Sequence, residues 1–305
     1  MNRYAAAAFA AVAFAASGAW AQRTDFSKVD EKVADLGHNT YWIEGAGGNT
    51  TVAVGTDGII MVDGQFAPLH DKLKEAIAKL SDKPIKYLIN THYHGDHTGG
   101  NALFAKDGAT VVAHENVKKR LSEGATNGLT GAKVPPVPQE AWPTKTYKSS
   151  MTLKVKGRTA QLAHVARAHT DGDTYVYFKN ANVISTGDTV TVGRYPNIDF
   201  AVGGSITGLI AAVDTYLKLA DDNTKIVPGH GPMTNKAGLK EYRAMLVTAR
   251  DRMAKLIKDG KSEQEAVAAK PFANDFDKKV NASEQQSSNF VRVIYNSLKP
   301  PLKKP

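Results

Sequence analysis

Ile85-Lys86-Tyr87-Leu88-Ile89-Asn90-Thr91-His92-Tyr93-His94-Gly95-Asp96-His97-Thr98-Gly99-Gly100-Asn101 runs from an apolar segment straight into a loop with three imidazoles and a carboxylate. The apolar part has the length and composition of a buried strand. Alternation along an extended segment sends His92 and His94 to one side. Gly95 then lets the backbone turn, so that Asp96 and His97 face the same space from another angle. Imidazole nitrogen and carboxylate oxygen are donors that zinc takes readily, so this one loop is arranged to feed two adjacent cations.

Three later stretches supply more of the same donors, in the order Ala168-His169-Thr170, Thr186-Gly187-Asp188-Thr189 and Pro228-Gly229-His230-Gly231. With His-x-His-x-Asp-His behind a strand and these three turns following, the chain resembles the metallo-β-lactamase superfamily from about Tyr41 to His230. The resemblance implies an α/β fold, a four-layer αββα sandwich. It implies His92, His94 and His169 as ligands of one metal, Asp96, His97 and His230 as ligands of a second, and Asp188 as the carboxylate bridging the pair. Two zinc ions are the expected cofactors, with iron the other possibility. The implied activity is that of a hydrolase in which a hydroxide shared by the cations attacks an ester, thioester, lactone or β-lactam carbonyl, Asp96 also orienting that hydroxide as a catalytic residue.

One residue separates the subfamilies. The third subclass of true metallo-β-lactamases shares the other ligands but usually lacks the acid that Asp188 supplies, whereas enzymes resembling glyoxalase II and the lactonases keep it. A β-lactamase proper is therefore one alternative. Another is an oxidoreductase similar to the persulfide dioxygenases, which hold one iron with two His and one Asp. The complete second ligand set argues against it, and diiron flavoprotein relatives carry Glu where His94 stands.

Composition narrows the class further. A chain of 305 residues with 42% hydrophobic content can bury a large core. Asn2-Arg3, the apolar run from Tyr4 to Ala16 and Ala19-Trp20-Ala21 form a signal peptide over residues 1–21, so the mature chain is expected to begin at Gln22 and to lie in the periplasm or outside the cell. No other apolar run is long enough to span a membrane, and no stable insertion is expected after cleavage. Cysteine is absent, which rules out thiolate ligands and disulfides. The formal charge of +9 becomes +8 without Arg3, but the lysines are dispersed and no Arg-rich or aromatic-interleaved basic patch appears beyond the tail from Lys299 to Lys304. The partner is thus read as a small-molecule substrate and not a nucleic acid, with the positive charge favouring anionic substrates. Nothing in the sequence specifies an oligomeric state.

Residues 22–305 read as one domain with a C-terminal helical extension. Tyr41–Ile43, Thr51–Val54 and Ile59–Val62 form an antiparallel meander. Pro68 opens a helix with Leu69, Leu73, Ala76, Ile77 and Leu80 on one face, and Thr110–Ala113 with His114–Leu121 forms a strand and helix after the histidine loop. The Gly-, Pro- and Thr-rich run from Ser122 to Tyr147 is a long connection between ligand groups, with Trp142 and Tyr147 expected either to line the substrate cleft or to pin the loop. Met151–Val155, Thr159–His164, Thr174–Phe178, Val183–Thr186 and Lys225–Val227 are strand-like, and a helix starts near Ser205. Helices over Lys236–Lys258, Ser262–Ala269 and Asn281–Leu298 complete the chain. His38, His70, His114 and His164 read as structural or surface residues, with His164 close enough to His169 to support it.

Overall fold

The computed structural model describes residues 24–299; the expected signal peptide, the expected terminus at Gln22 and the end of the basic tail lie outside the described residues. The first half contains β1 (Lys32–Gly37), β2 (Thr40–Glu44), β3 (Thr50–Val54), β4 (Ile59–Val62), α1 (His70–Ala78), β5 (Ile85–Ile89), α2 (Gly95–Thr98), α3 (Asn101–Lys106), β6 (Thr110–His114) and α4 (Glu115–Glu123). A short ribbon follows, β7 (Ala125–Thr126) with β8 (Lys133–Val134), then β9 (Lys145–Tyr147). The second half holds β10 (Ser150–Val155), β11 (Arg158–His164), β12 (Thr174–Phe178), β13 (Val183–Ser185), α5 (Ile206–Leu219) and β14 (Lys225–Val227). The extension consists of α6 (Lys236–Lys258), α7 (Glu263–Ala268), α8 (Phe276–Lys279) and α9 (Glu284–Leu298).

Seven strands form one sheet in the order β1-β2-β3-β4-β5-β6-β9, and five form a second, β10-β11-β12-β13-β14. The pairs β4/β5, β5/β6, β6/β9 and β13/β14 are parallel. Parallel strands covered on both faces read as continuous apolar runs, because successive side chains serve two different cores. Val62, Ile89, Val112, Val183 and Val227 point into the layer between the sheets. Their neighbours Met61, Leu88 and Val111 face the other way, onto Leu73 and Ile77 of α1 and Phe104 of α3. Ile184 and Ile226 likewise pack on Leu209, Val213 and Tyr216 of α5, with Leu246 and Val293 from α6 and α9. This is the expected αββα sandwich. Each fully buried Val, Leu or Ile contributes about 1.5–3 kcal/mol, so a one-residue slip of β5, which would exchange its two faces, is strongly opposed. The same register aims His92 and His94.

The parallel strands also decide where the site forms. β5, β13 and β14 all end toward one rim, and ligands of open α/β sheets collect at strand carboxyl ends. Two backbone bonds join the sheets there, Thr174 N–H to Thr91 O at 2.8 Å and Asn49 N–H to Gly229 O at 2.8 Å.

Three boundaries differ from expectation. Pro68 lies in a 3-10 turn, Ala67–Leu69, that leads into α1, and Leu80 falls beyond its end. The run from Ser122 to Tyr147 is not wholly irregular: its last three residues are β9, paired with β6, too short a strand to leave a period. The final helix starts at Glu284, not Asn281, because Asn281 has φ 49° and Ser283 closes a capping box with Gln286. No helix among the described residues is long and apolar enough to cross a membrane.

Candidate metal centre

Beyond Ile89 the chain leaves the sheet, and His94 stands in an extended conformation before the single turn of α2. His92 and His94 thus precede the turn while Asp96 and His97 lie on it. His169 comes from the loop between β11 and β12, Asp188 from a 3-10 turn after β13, and His230 from the turn after β14. One donor atom from each of His92, His94 and His169 lies within 4.8 Å of the others, and the same holds for Asp96, His97 and His230, and for His92, His97 and Asp188. Nε2 of His169 is 2.9 Å from Nδ1 of His94, and Nε2 of His230 is 3.2 Å from Oδ2 of Asp96. Asp188 stands between the sets: Oδ1 is 3.2 Å from His97 Nε2, while Oδ2 is 3.4 Å from His230 Nε2 and 3.7 Å from His169 Nε2.

The opposite ring nitrogens are held from behind, which fixes tautomer and ring direction. Nδ1 of His97 meets Asp63 Oδ2 at 2.8 Å, and Nδ1 of His169 meets the Asn197 carbonyl at 2.8 Å. Nδ1 of His92 lies 3.1 Å from Thr91 Oγ1, which donates to Asp63 Oδ2 at 2.7 Å. His94 is turned the other way: its Nε2 meets Asp199 Oδ2 at 3.1 Å, leaving Nδ1 for the cluster, and Tyr93 donates its hydroxyl to the same oxygen at 2.5 Å. Asp173 accepts the backbone N–H groups of His169 and Thr170 and the Thr170 hydroxyl. Burial pushes the Asp173 carboxyl up to about 7 against the pull of those bonds. Two glycines make room. A Cβ at Gly48 would stand 2.1 Å from Cε1 of His97, and one at Gly229 1.9 Å from Oδ1 of Asp188.

Electrostatics mark the cluster as a place for positive charge. Burial alone would drive protons off His97 and His230. The carboxylates of Asp63, Asp188 and Asp96 reverse this and hold His97 well above the usual imidazole range, and Asp188 and Asp96 hold His230 at about 9. Burial likewise favours the neutral Asp188 carboxyl, but His230 and His97 overcome it and keep the group ionised. His92 and His169, with burial dominant, stay neutral, His169 down at about 4. Neutral imidazoles and ionised carboxylates are the forms that bind metal. Nε2 of His92 and Oδ1 of Asp188 are buried without a hydrogen-bond partner, a costly state that a cation relieves. The donor set therefore fits a zinc- or iron-type ion at each triplet.

All seven ligands expected from the sequence meet in this cluster. Tyr147 does not line a cleft: it is 7% exposed in the core between the sheets and its hydroxyl meets Thr174 Oγ1 at 2.6 Å. Trp142 pins the loop, its Nε1 donating to the Val137 carbonyl while the ring packs beside the Tyr93, Val117 and Leu121 cluster. Of the four other histidines, His38 is exposed and His70, His114 and His164 are held in contacts away from the cluster. His38 occupies the β1–β2 turn with φ 51°, and His70 is buried between Asp71 and Asp107. His114 caps α4 and stacks on His164 at 3.7 Å, and His164 Nδ1 meets the Asp173 carbonyl. Residues missed from sequence are Asp63, Thr91, Tyr93, Asp173 and Asp199. Only Asp63, an acid at the end of an apolar strand, carried a local signal.

The model of the metallo-beta-lactamase superfamily matches residues 37–230. This chain belongs to that superfamily. Among curated superfamily relatives, a hydroxyacylglutathione hydrolase of Pelagibacter ubique is 34% identical over 163 residues, covering 52% of this chain and 57% of that protein. The alpha subunit of a 2,4-dinitroanisole O-demethylase of a Nocardioides species is 28% identical over 152 residues, 48% of this chain and 43% of its own. The chain thus spans about half the length of the curated relatives it matches. A metallo-beta-lactamase from Pontibacter korlensis superposes with a TM-score of 0.58 at 17% identity, over 71% of this chain and 99% of that one, a likeness of fold.

Proposed function

We propose that this superfamily member is a dinuclear, zinc-dependent hydrolase of acyl bonds, with thioesters, esters and lactones favoured over β-lactams. The observation that carries the reading is Asp188, whose two oxygens reach His97 on one side and His169 and His230 on the other. A carboxylate so placed supports a pair of cations. The hydroxyacylglutathione hydrolase among the relatives, named for cleaving an acyl–glutathione bond, favours the thioester class.

Divalent cations held at these triplets supply Lewis acidity and a water of lowered pKa. The residues themselves set the direction of approach. The side chains of His94, Asp96 and His230 are 23%, 23% and 14% exposed, while those of His92, His97, His169 and Asp188 are buried. Substrate therefore enters over His94, Asp96 and His230. Asp96, the open carboxylate, would orient the attacking water. The buried side excludes bulk water, which strengthens every charge interaction within.

Metal analysis of the purified protein and a panel of thioester, ester, lactone, β-lactam and phosphodiester substrates test this. The expected result is two zincs per chain with acyl hydrolysis. One tightly held iron and no acyl hydrolysis would instead favour the oxidoreductase alternative. We also propose export through residues 1–21; recovery of intact Met1 from a cytosolic fraction would refute it.

A further inference from the structure

We infer that the C-terminal helical extension is a working part of the metal centre: through Tyr195 it sets the direction of the His94 and His169 rings. The inference rests on the metal-site reading above. The family match ends at residue 230, and α6 to α9 follow it. Between β13 and α5 the chain makes an arc from Thr191 to Asp199 whose ends are tied to the ligands. Val192 N–H donates to the His230 carbonyl at 3.0 Å, and Asp199 N–H donates to the His169 carbonyl at 2.9 Å. The far end of the arc also supplies two of the three groups behind the first triplet, the Asn197 carbonyl on His169 Nδ1 and the Asp199 carboxylate on His94 Nε2.

Tyr195 lies mid-arc, two residues before Asn197, and its hold comes from the extension. The hydroxyl donates to Oδ1 of Asp277 in α8 at 2.5 Å. The ring stacks on Phe290 of α9 with centroids 4.0 Å apart and planes 15° apart. Phe290 is anchored in turn by Phe272, at 5.2 Å, and both are almost wholly buried. Asp277 is itself fixed by Ser287 Oγ at 2.8 Å. A stacked ring and a charge-assisted hydrogen bond restrain Tyr195 in two directions, and proline at 196 stiffens the link to Asn197. Tyr195 is thus a positioning residue. The second triplet meets this arc only where Val192 N–H donates to the His230 backbone carbonyl, a bond that holds no ring nitrogen, so the effect on ring direction falls on the first site.

The test isolates each site in the full-length protein, with cobalt(II) as the probe. His230→Ala leaves the first triplet intact, and His169→Ala leaves the second. Loss of a group that orients a metal ligand costs about 10- to 100-fold in affinity. Adding Tyr195→Phe to His230→Ala, which keeps the stack and removes the hydroxyl, is expected to weaken cobalt binding by about tenfold, at the low end of that range. Added to His169→Ala, it is expected to change nothing. Asp277→Ala, which removes the acceptor of the Tyr195 hydroxyl, repeats the measurement should Tyr195→Phe fail to fold. Glu263→Gln, which loosens Arg292 and Asn296 within the extension, is expected to leave both affinities unchanged. Unaltered binding at the first triplet, equal losses at both, or the same loss from Glu263→Gln would overturn the inference. A parent protein that binds no cobalt would overturn the metal reading and this inference together.

Discussion

Asp188 combines two tasks that no other carboxylate of the cluster shares, since it reaches both triplets and is ionised although buried. A carboxylate between two cations offsets their repulsion, so its loss should weaken the pair more than loss of a terminal ligand. Asp188→Ser is expected to release at least one metal and to lower acyl hydrolysis by about 100-fold or more, the upper end of what even outer supports contribute. A folded variant with two tightly held ions and parental activity would reduce Asp188 to packing. His230 supplies a second prediction. Its pKa, raised from 6.5 to about 9, means that in metal-free protein its charge stabilises the fold fully below about 6.5 and ceases to do so as pH rises through about 9. Metal loading requires the neutral ring, so affinity moves the opposite way over that window. Melting of chelator-treated protein should fall from pH 6.5 to 9 while metal affinity rises. Flat profiles in both would show that His230 does not carry this proton.

At the scale of elements, the site depends on how closely strand ends approach one another. β13 and β14 run parallel, and the turns beyond them bring Gly187, Asp188 and Gly229 into backbone contact, Gly229 N–H donating to the Gly187 carbonyl at 2.8 Å. There is no space for a side chain, since a Cβ at Gly229 would meet Gly187 C at 2.6 Å as well as the Asp188 carboxylate. Gly229→Ala is therefore expected to destabilise the protein by about 1–3 kcal/mol, the usual cost of overpacking. It is also expected to lower metal content by displacing Asp188. Calorimetry with metal analysis checks both. Loss of stability at unchanged metal content would mean that the backbone yields and the carboxylate does not. Asp63 and Gln65 adopt left-handed backbone angles, φ 61° and 52°, in the turn after β4 that sets the Asp63 carboxylate against both His97 and Thr91.

Taken as a whole, the molecule is two sheets closed at one rim by ligands from both. His92, His94, Asp96 and His97 follow a strand of the first sheet, and His169, Asp188 and His230 come from the second. A cation coordinated by both cross-links them and binds only the native arrangement. At free metal a thousandfold above Kd this contributes about 4 kcal/mol, which for a chain of this size amounts to roughly 10 °C in Tm. Removal of metal by a chelator is expected to lower Tm by about that much, with recovery on adding zinc. A melting temperature indifferent to metal would mean that the rim is held by its hydrogen bonds alone.

The amino-acid sequence by itself determined which His and Asp donors gather at the rim and the layer order. Metal donors cluster at short spacing around glycine turns, and strands buried on both faces must be apolar throughout, as Ile85 to Ile89 and Thr110 to Ala113 are. Only the tertiary structure decided which groups stand behind the ligands. Asp199 reaches Tyr93 and His94 across 106 and 105 residues, and Tyr195 reaches Asp277 across 82. Single hydrogen bonds at such separations leave no period and no spacing in the chain. For the same reason Tyr147 could be taken for a cleft residue: a phenol in a three-residue strand reads alike from sequence whether it faces solvent or core. Its burial follows from the pairing of β9 with β6, which is settled by the packing of the two sheets and not by any local preference.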